Sequence, residues 1–267
     1  MLDIAKSALD ALDRNQTLAM ATVIDVRGPA KIKPGAKLLV REDGTAVGSL
    51  GNAGLDAAVI AESERSIVEG LEARVVTNRA CAQGTVPGTE IDIFVEVVYG
   101  APTALIVGAG HIGQHLSRMA KLVGFKAIVV DDRPDFANQE RFPEADEVIA
   151  ADMIETLGAF PVGMNTYVVL VIRGHKYDED ALRQVINSRA AYIGMIGSRA
   201  RAKEILGNLA NAGVPAQKID KVYMPVGLRI GAQTPEEIAL SIMAEIVNVR
   251  RGGDAQSSRV RIEVRNA

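Results

Sequence analysis

Tryptophan is absent from this chain, cysteine occurs once, and the other aromatics amount to five phenylalanines and five tyrosines. The single thiol, Cys81, excludes an intrachain disulfide and any all-cysteine metal site within one chain. With so few aromatics the cores must be built from Val, Ile, Leu, Ala and Met, a composition that suits sheets buried on both faces. Positive charge is not in excess either. A formal net charge of −3 offers no broad attraction to nucleic acid or to an anionic membrane surface, so neither is expected as a partner. No run approaches the roughly 18 apolar residues of a membrane span, and the opening Met-Leu-Asp-Ile-Ala-Lys lacks a cationic region followed by an apolar one. The expected location is cytoplasmic. What remains is an ordinary globular balance, 48% hydrophobic and 24% charged, over 267 residues, enough for two domains.

The most informative stretch is 104 to 132. An apolar run, Ala104 to Val107, leads into Gly108-x-Gly110-x-x-Gly113, a helical pattern follows, and a second run from Ala127 to Val130 ends in Asp131 and Asp132. Strand, glycines, helix, strand and acid in that order predict a β-α-β unit with a dinucleotide-type phosphate cradle. Gly108 permits a tight turn, Gly110 has no Cβ to hold a pyrophosphate away, and Gly113 lets the helix approach the strand. The helix start offers unpaired N–H groups to an anion, and Asp131 stands where an acid meets a ribose hydroxyl. Two carboxylates there would favour NAD over NADP.

Along the chain, helical spacing of Leu2, Ala5, Leu9 and Leu12 opens a small domain. Strands are predicted at 17–26, 37–41, 46–50, 73–77 and 90–98, with a helix over 55–70. Residues 1–98 therefore read as an α+β domain and 99–102 as a linker, since Gly100 and Pro102 break the pattern. From 103 to 251, apolar runs at 147–150, 166–172 and 191–196 alternate with helices near 153–159, 178–188, 198–212 and 234–250. That alternation predicts a Rossmann-type doubly wound parallel sheet, so the fold class is α/β with a smaller N-terminal α+β domain. Residues 252–267 read as a polar, loose tail.

In such a sheet, ligands bind beyond the carboxyl ends of the strands. The rim collects Gly108, Gly110, His111, Ile112 and Gly113; Asp131, Asp132 and Arg133; Arg173, Gly174 and His175; and Gly197, Ser198 and Arg199, the last group opening a second helix. His175 is the one histidine at a strand end outside the fingerprint, so it is the candidate general acid or base, with a plain loop histidine as the alternative. His111 and His115 have metal-ligand spacing without a matching third ligand, so no metal site is expected. Cys81 sits in a glycine-containing loop near Arg79, either inert or partly thiolate.

Four stretches in order resemble the XdhC/CoxI family, the xanthine dehydrogenase accessory proteins: Lys33-Pro-Gly-Ala-Lys-Leu-Leu-Val with Asp43-Gly and Gly48-Ser-Leu-Gly51; Val107-Gly-Ala-Gly-His-Ile-Gly113 with Val130-Asp-Asp-Arg133; Tyr192-Ile-Gly-Met-Ile-Gly-Ser-Arg199; and Pro225-Val-Gly-Leu-Arg-Ile-Gly-Ala232 with Thr234-Pro-Glu-Glu-Ile-Ala239. The resemblance implies binding of molybdenum cofactor (molybdopterin), its protection during sulfuration by a cysteine desulfurase, and insertion into a molybdenum hydroxylase client. It further implies a homodimer, with Gly51, Asn52 and Cys81 as cofactor contacts. Where the family commonly carries a Gly-Gly-Gly-Cys-Val-Glu-like segment, this chain has Gly51-Asn-Ala-Gly-Leu-Asp56, with no cysteine. The resemblance thus points to a non-catalytic maturation factor. An NAD-dependent oxidoreductase and a nucleotide-binding regulatory module are the alternatives.

Overall fold

A computed structural model describes residues 2–14, 16–71, 73–79, 88–173 and 177–261, the side chains of residues 78 and 79 excepted. The chain divides into two compact units, Met1–Gly100 and Ala101–Ala267.

The first unit contains α1 (Leu2–Asp13), β1 (Leu18–Arg27), β2 (Lys37–Arg41), β3 (Ala46–Ser49), α2 (Ala53–Glu69), β4 (Ala73–Arg79) and β5 (Glu90–Val98). Its five strands form one antiparallel sheet in the order β3-β2-β1-β5-β4. On β5, Ile91, Ile93 and Val95 are buried while the residues between them are only half-buried, the period-two pattern of a sheet covered on one face. The hairpin between β2 and β3 is closed by local chemistry. Asp43 Oδ1 accepts from the Thr45 amide at 2.9 Å and hydroxyl at 2.6 Å, and Gly44 supplies the positive φ of 82°.

The second unit contains β6 (Thr103–Val107), α3 (His111–Leu122), β7 (Lys126–Asp131), β8 (Glu147–Ala150), α4 (Met153–Ala159), β9 (Thr166–Leu170), α5 (Asp178–Val185), β10 (Tyr192–Met195), α6 (Arg199–Asn211), α7 (Ala216–Ile219), β11 (Val222–Tyr223) and α8 (Pro235–Arg250). All its strand pairs are parallel, in the order β11-β10-β9-β6-β7-β8. Counted within this unit the order reads 3-2-1-4-5-6 from the opposite edge, the arrangement of dinucleotide-binding folds. Every residue of β6 and β9 is buried. Alternate residues serve opposite layers: Leu105 and Val107 pack with α4, α5 and α6, and Ala104 and Ile106 with α3 and α8. Helix α8 begins on a complete capping box, Thr234 with Glu237, and Pro235 at its first turn.

Two features differ from the sequence expectations. The short α7 and the two-residue β11 have no counterpart there, because neither is long enough to show a period. Residues 257–260 of the expected loose tail are half-buried and held against the domain. Ser257 bridges Leu228, and the amides of Ser258 and Val260 donate to the carbonyls of Gly227 and Met224 at 2.9 and 2.8 Å.

Candidate functional site

The site is set by the order of strands. From β6 the chain departs toward β7, and from β9 toward β10, so the two crossovers leave in opposite directions and a crevice opens between them at the carboxyl ends. The Gly108–Gly113 turn lies at that switch point.

The three glycines of the turn have different reasons to be there. Gly108 has φ +116°, and a Cβ on it would strike the Val171 carbonyl just past β9. A Cβ on Gly113 would strike the Gly108 carbonyl, so α3 could not lie against β6. These two are demanded by the protein's own packing. Gly110 is not: its φ of −72° is open to any residue, and a Cβ there would meet nothing within 4 Å. The missing Cβ at Gly110 therefore leaves room beside the first turn of α3, where the free N–H groups of the helix start attract an anion. No side chain caps this helix.

Asp131, the expected ribose acceptor, is differently engaged. It is 1% exposed, and both oxygens are filled from within the protein. Oδ2 accepts from the Ala109 amide at 2.7 Å and Arg133 Nη2 at 2.8 Å; Oδ1 accepts from the Arg133 amide at 3.1 Å and Nε at 2.8 Å. Burial alone would raise this carboxyl, but the Arg133 guanidinium and the two amides outweigh it and hold Asp131 below the usual carboxylate range. Four donors occupy the acceptor positions of a carboxylate, so a ribose hydroxyl has none left to use while the Arg133 pair is intact. Asp131 thus acts as a brace, tying the end of β7 to the glycine turn. Asp132 remains exposed, 3.9 Å from Arg133 Nε. Arg133 and Arg141 both stack on the Phe136 ring, at 4.0 and 4.8 Å from its centroid, so this corner of the rim carries two guanidinium groups.

At the end of β10, Gly197 and Ser198 start α6. The Ser198 hydroxyl accepts from the Arg201 amide at 3.1 Å, and Arg199 is exposed. His111 is exposed on the first turn of α3, Ile112 packs into the core beneath it, and His115 Nε2 meets Glu236 Oε1 at 3.1 Å. Among the described residues no group of three His, Cys, Asp or Glu side chains is placed to hold a metal. Arg173 is exposed after β9; Gly174, His175 and Cys81 lie outside the described residues. In the first unit, Gly51 and Asn52 serve local structure. The Gly51 amide donates to Ser49 Oγ at 3.0 Å, and Asn52 Oδ1 caps α2 by accepting from the Leu55 amide at 3.0 Å.

A buried network is absent from the sequence expectations. Glu245, fully buried on α8, accepts from the Tyr192 hydroxyl at 2.5 Å, the Gly227 amide at 2.9 Å and the Ser257 hydroxyl at 2.6 Å. It joins β10, the loop after β11 and the tail. A signal for it exists: an acid between Met243 and Ile246 on the apolar face of a helix calls for buried donors. A cleft of about 420 Å³ between Met164, Tyr192, Lys221 and Arg259 lies at the opposite, amino-terminal edge of the sheet and takes no part in the rim.

Residues 104–246 match the family model of the XdhC Rossmann domain, and residues 11–78 that of the XdhC and CoxI family. Since the first match alone spans more than half of the chain, the protein belongs to the XdhC and CoxI family. Among its relatives is the uncharacterized protein YqeB of Escherichia coli (strain K12), 31% identical over 254 residues, covering 93% of this chain and 46% of that protein. A protein of Bacillus subtilis (strain 168) described as a probable xanthine dehydrogenase component is 31% identical over 160 residues, 60% of this chain and 46% of that one. The chain thus spans about half the length of these curated relatives. The crystal structure of a Bacillus halodurans xanthine dehydrogenase superposes with a TM-score of 0.52 at 24% identity, covering 94% of this chain and 96% of that one, a likeness of fold.

Proposed function

We propose that this chain is a xanthine dehydrogenase accessory protein that holds molybdenum cofactor for sulfuration and for insertion into a molybdenum hydroxylase client. The observation that carries the reading is the space at Gly110. A glycine required by neither backbone nor packing, at the uncapped start of a helix and at the switch point of the sheet, fits a phosphate. Molybdopterin ends in a phosphate, which the α3 amides would receive, with Arg141 adding positive charge at the same rim, the charge of Arg133 being balanced by Asp131. The cofactor itself would supply the molybdenum chemistry, and the chain's part is to bind, orient and shield it. Cys81 is the candidate sulfur contact, and a cysteine desulfurase and the hydroxylase are the partners this role requires. Family membership and the name of the Bacillus subtilis relative support this assignment.

The nucleotide alternative draws support from the strand order. It is the weaker reading because the acid that would select a ribose is already saturated by Arg133 and Ala109. The test is Gly110→Val, whose Cβ meets no protein atom within 4 Å and whose side chain would enter the phosphate position. Purified from a molybdenum-replete host, the variant should stay within about 4 °C of the parent's thermal midpoint and lose its pterin fluorescence and molybdenum. Retention of both in the variant would refute the reading, as would a parent that carries NAD and no pterin.

A further inference from the structure

The amino-terminal edge of the parallel sheet, the end away from the glycine turn, carries an opening of its own. It is the cleft of about 420 Å³ beside β11, the edge strand, and its size falls in the range of small-molecule sites, roughly 300–1,000 Å³. Met164, Ile186 and Ile193 supply apolar lining, and Tyr192 and Tyr223, stacked with ring centroids 4.7 Å apart, add aromatic surface. Four charged side chains line the same space, Arg189, Lys221 and Arg259 against Asp220. In a chain whose formal net charge is −3, three cations facing one carboxylate are a local excess of positive charge.

Arg259 is fixed by the fold without being neutralised by it. Its amide donates to Ser257 Oγ at 3.1 Å, and the amides on either side, of Ser258 and Val260, donate to the carbonyls of Gly227 and Met224. Its guanidinium lies 4.5 Å over the Tyr223 ring, and Nη1 donates to the Asp220 carbonyl at 3.0 Å. The residue is half-buried, yet neither Arg259 nor Lys221 forms an ion pair among the described residues. A cation partly withdrawn from water with no counter-charge is unfavourable, and an anion in the cleft would offset that cost. The remaining N–H groups of a guanidinium held in this way form a fork that suits phosphate or carboxylate. The excess of positive charge favours the phosphate, because a phosphate monoester carries about −1.5 to −2 at neutral pH and a carboxylate only a single charge. We infer that this cleft is a further ligand site, for a phosphate monoester with an apolar or aromatic body, its phosphate on Arg259 and Lys221 and its body on Met164, Ile186 and Ile193. The inference does not depend on what binds at the glycine turn.

The experiment is isothermal titration calorimetry on the full chain in phosphate-free buffer, with phenyl phosphate as the probe. It is run on Gly110→Val, whose side chain closes the phosphate position of the glycine turn, so that the cleft is the site read. Binding at about 1 mM or tighter is expected, with inorganic phosphate and benzoate weaker by about fivefold or more, since one lacks the body and the other the second charge. In the same background Lys221→Gln and Arg259→Gln should each weaken phenyl phosphate by about tenfold, the loss of one hydrogen bond between charged groups. Lys221→Gln removes only an exposed head group, so its result stands even where Arg259→Gln loosens the tail, which circular dichroism would show. No binding of phenyl phosphate, binding that Lys221→Gln leaves unchanged, or benzoate or inorganic phosphate held as tightly as phenyl phosphate would each overturn the inference.

Discussion

Replacing Glu245 by leucine should destabilise the second unit more than any surface change, and the structure allows the size to be worked out. The side chain is 0% exposed and receives three hydrogen bonds, from Tyr192, Gly227 and Ser257. Hydrogen bonds to a charged group contribute roughly 1.5–3 kcal/mol each, so three amount to about 6 kcal/mol. Removing a buried carboxylate also relieves its desolvation, which offsets several kcal/mol of that loss. The Tyr192 and Ser257 hydroxyls can turn elsewhere, whereas the Gly227 N–H is fixed by the backbone and would stay buried without an acceptor. The net expectation is about 3 kcal/mol. For a unit of this size that lowers the thermal midpoint by about 6–12 °C, measured by circular dichroism. Tyr192→Phe alone should cost about 2 kcal/mol, and close to nothing in the Glu245→Leu background, because the two groups share one bond. Burial and the neighbouring Glu245 charge push the Tyr192 phenol well above its ordinary value, so it remains a donor where free tyrosine ionises. Stability from this pair is therefore full below the ordinary tyrosine range and is lost as pH rises beyond it. A Glu245→Leu midpoint within about 2 °C of the parent would show that the network is ornamental to stability and refute the reasoning.

Other perturbations address the rim directly. Gly113→Ala should cost about 1–3 kcal/mol or more in urea unfolding, because its methyl would meet the Gly108 carbonyl, whereas Gly110→Ala should cost at most about 1 kcal/mol; equal costs would mean the glycines are interchangeable. Asp131 is held below its ordinary value, so its contribution is present above the usual carboxylate range and is lost as pH falls through it. Urea titrations from neutral to acid pH should show a shallower loss in Asp131→Asn than in the parent, and parallel slopes would remove Asp131 from the account. Cys81→Ser deletes the only thiol of the chain, so a reduced molybdenum or sulfur load in the variant would place sulfur chemistry at Cys81, and an unaltered load would leave the chain a binding role alone.

The parts of the fold that are legible in sequence are those with a repeated signal. The fingerprint unit is legible because strand, glycines and helix each constrain the next, and α8 because Thr234, Pro235 and Glu237 write a helix start in full. Strands such as β5 show through alternation, and β6 and β9 through unbroken apolar runs. The part that escapes depends on partners distant in the chain. Asp131 looks like a ribose acceptor because its place after β7 is that of one, and nothing local reveals that Ala109, 22 residues earlier, and Arg133 fill its oxygens. Likewise Glu245 stands 53 residues from Tyr192, so its role follows from the fold and not from the helix it sits on.

The turn at residues 48–56 shows how the chain's departure from its family's pattern is accommodated. Asp56 accepts from the Ser49 hydroxyl and the Leu50 amide, both at 2.7 Å, and so closes the Gly48–Gly51 turn onto the start of α2. An acid at this position is therefore explained by the turn alone, whatever ligand the turn serves. Position 54, where the resemblance leads one to expect a cysteine, is a glycine on the first turn of α2, two residues beyond the Asn52 cap. Loss of that thiol leaves each hydrogen bond of the turn in place, since none of them comes from the side chain at 54. Scaffold and sulfur chemistry are thus separable in this domain. A chain can give up the thiol and keep the fold, and the anion binding proposed at Gly110, on the other unit, does not depend on it.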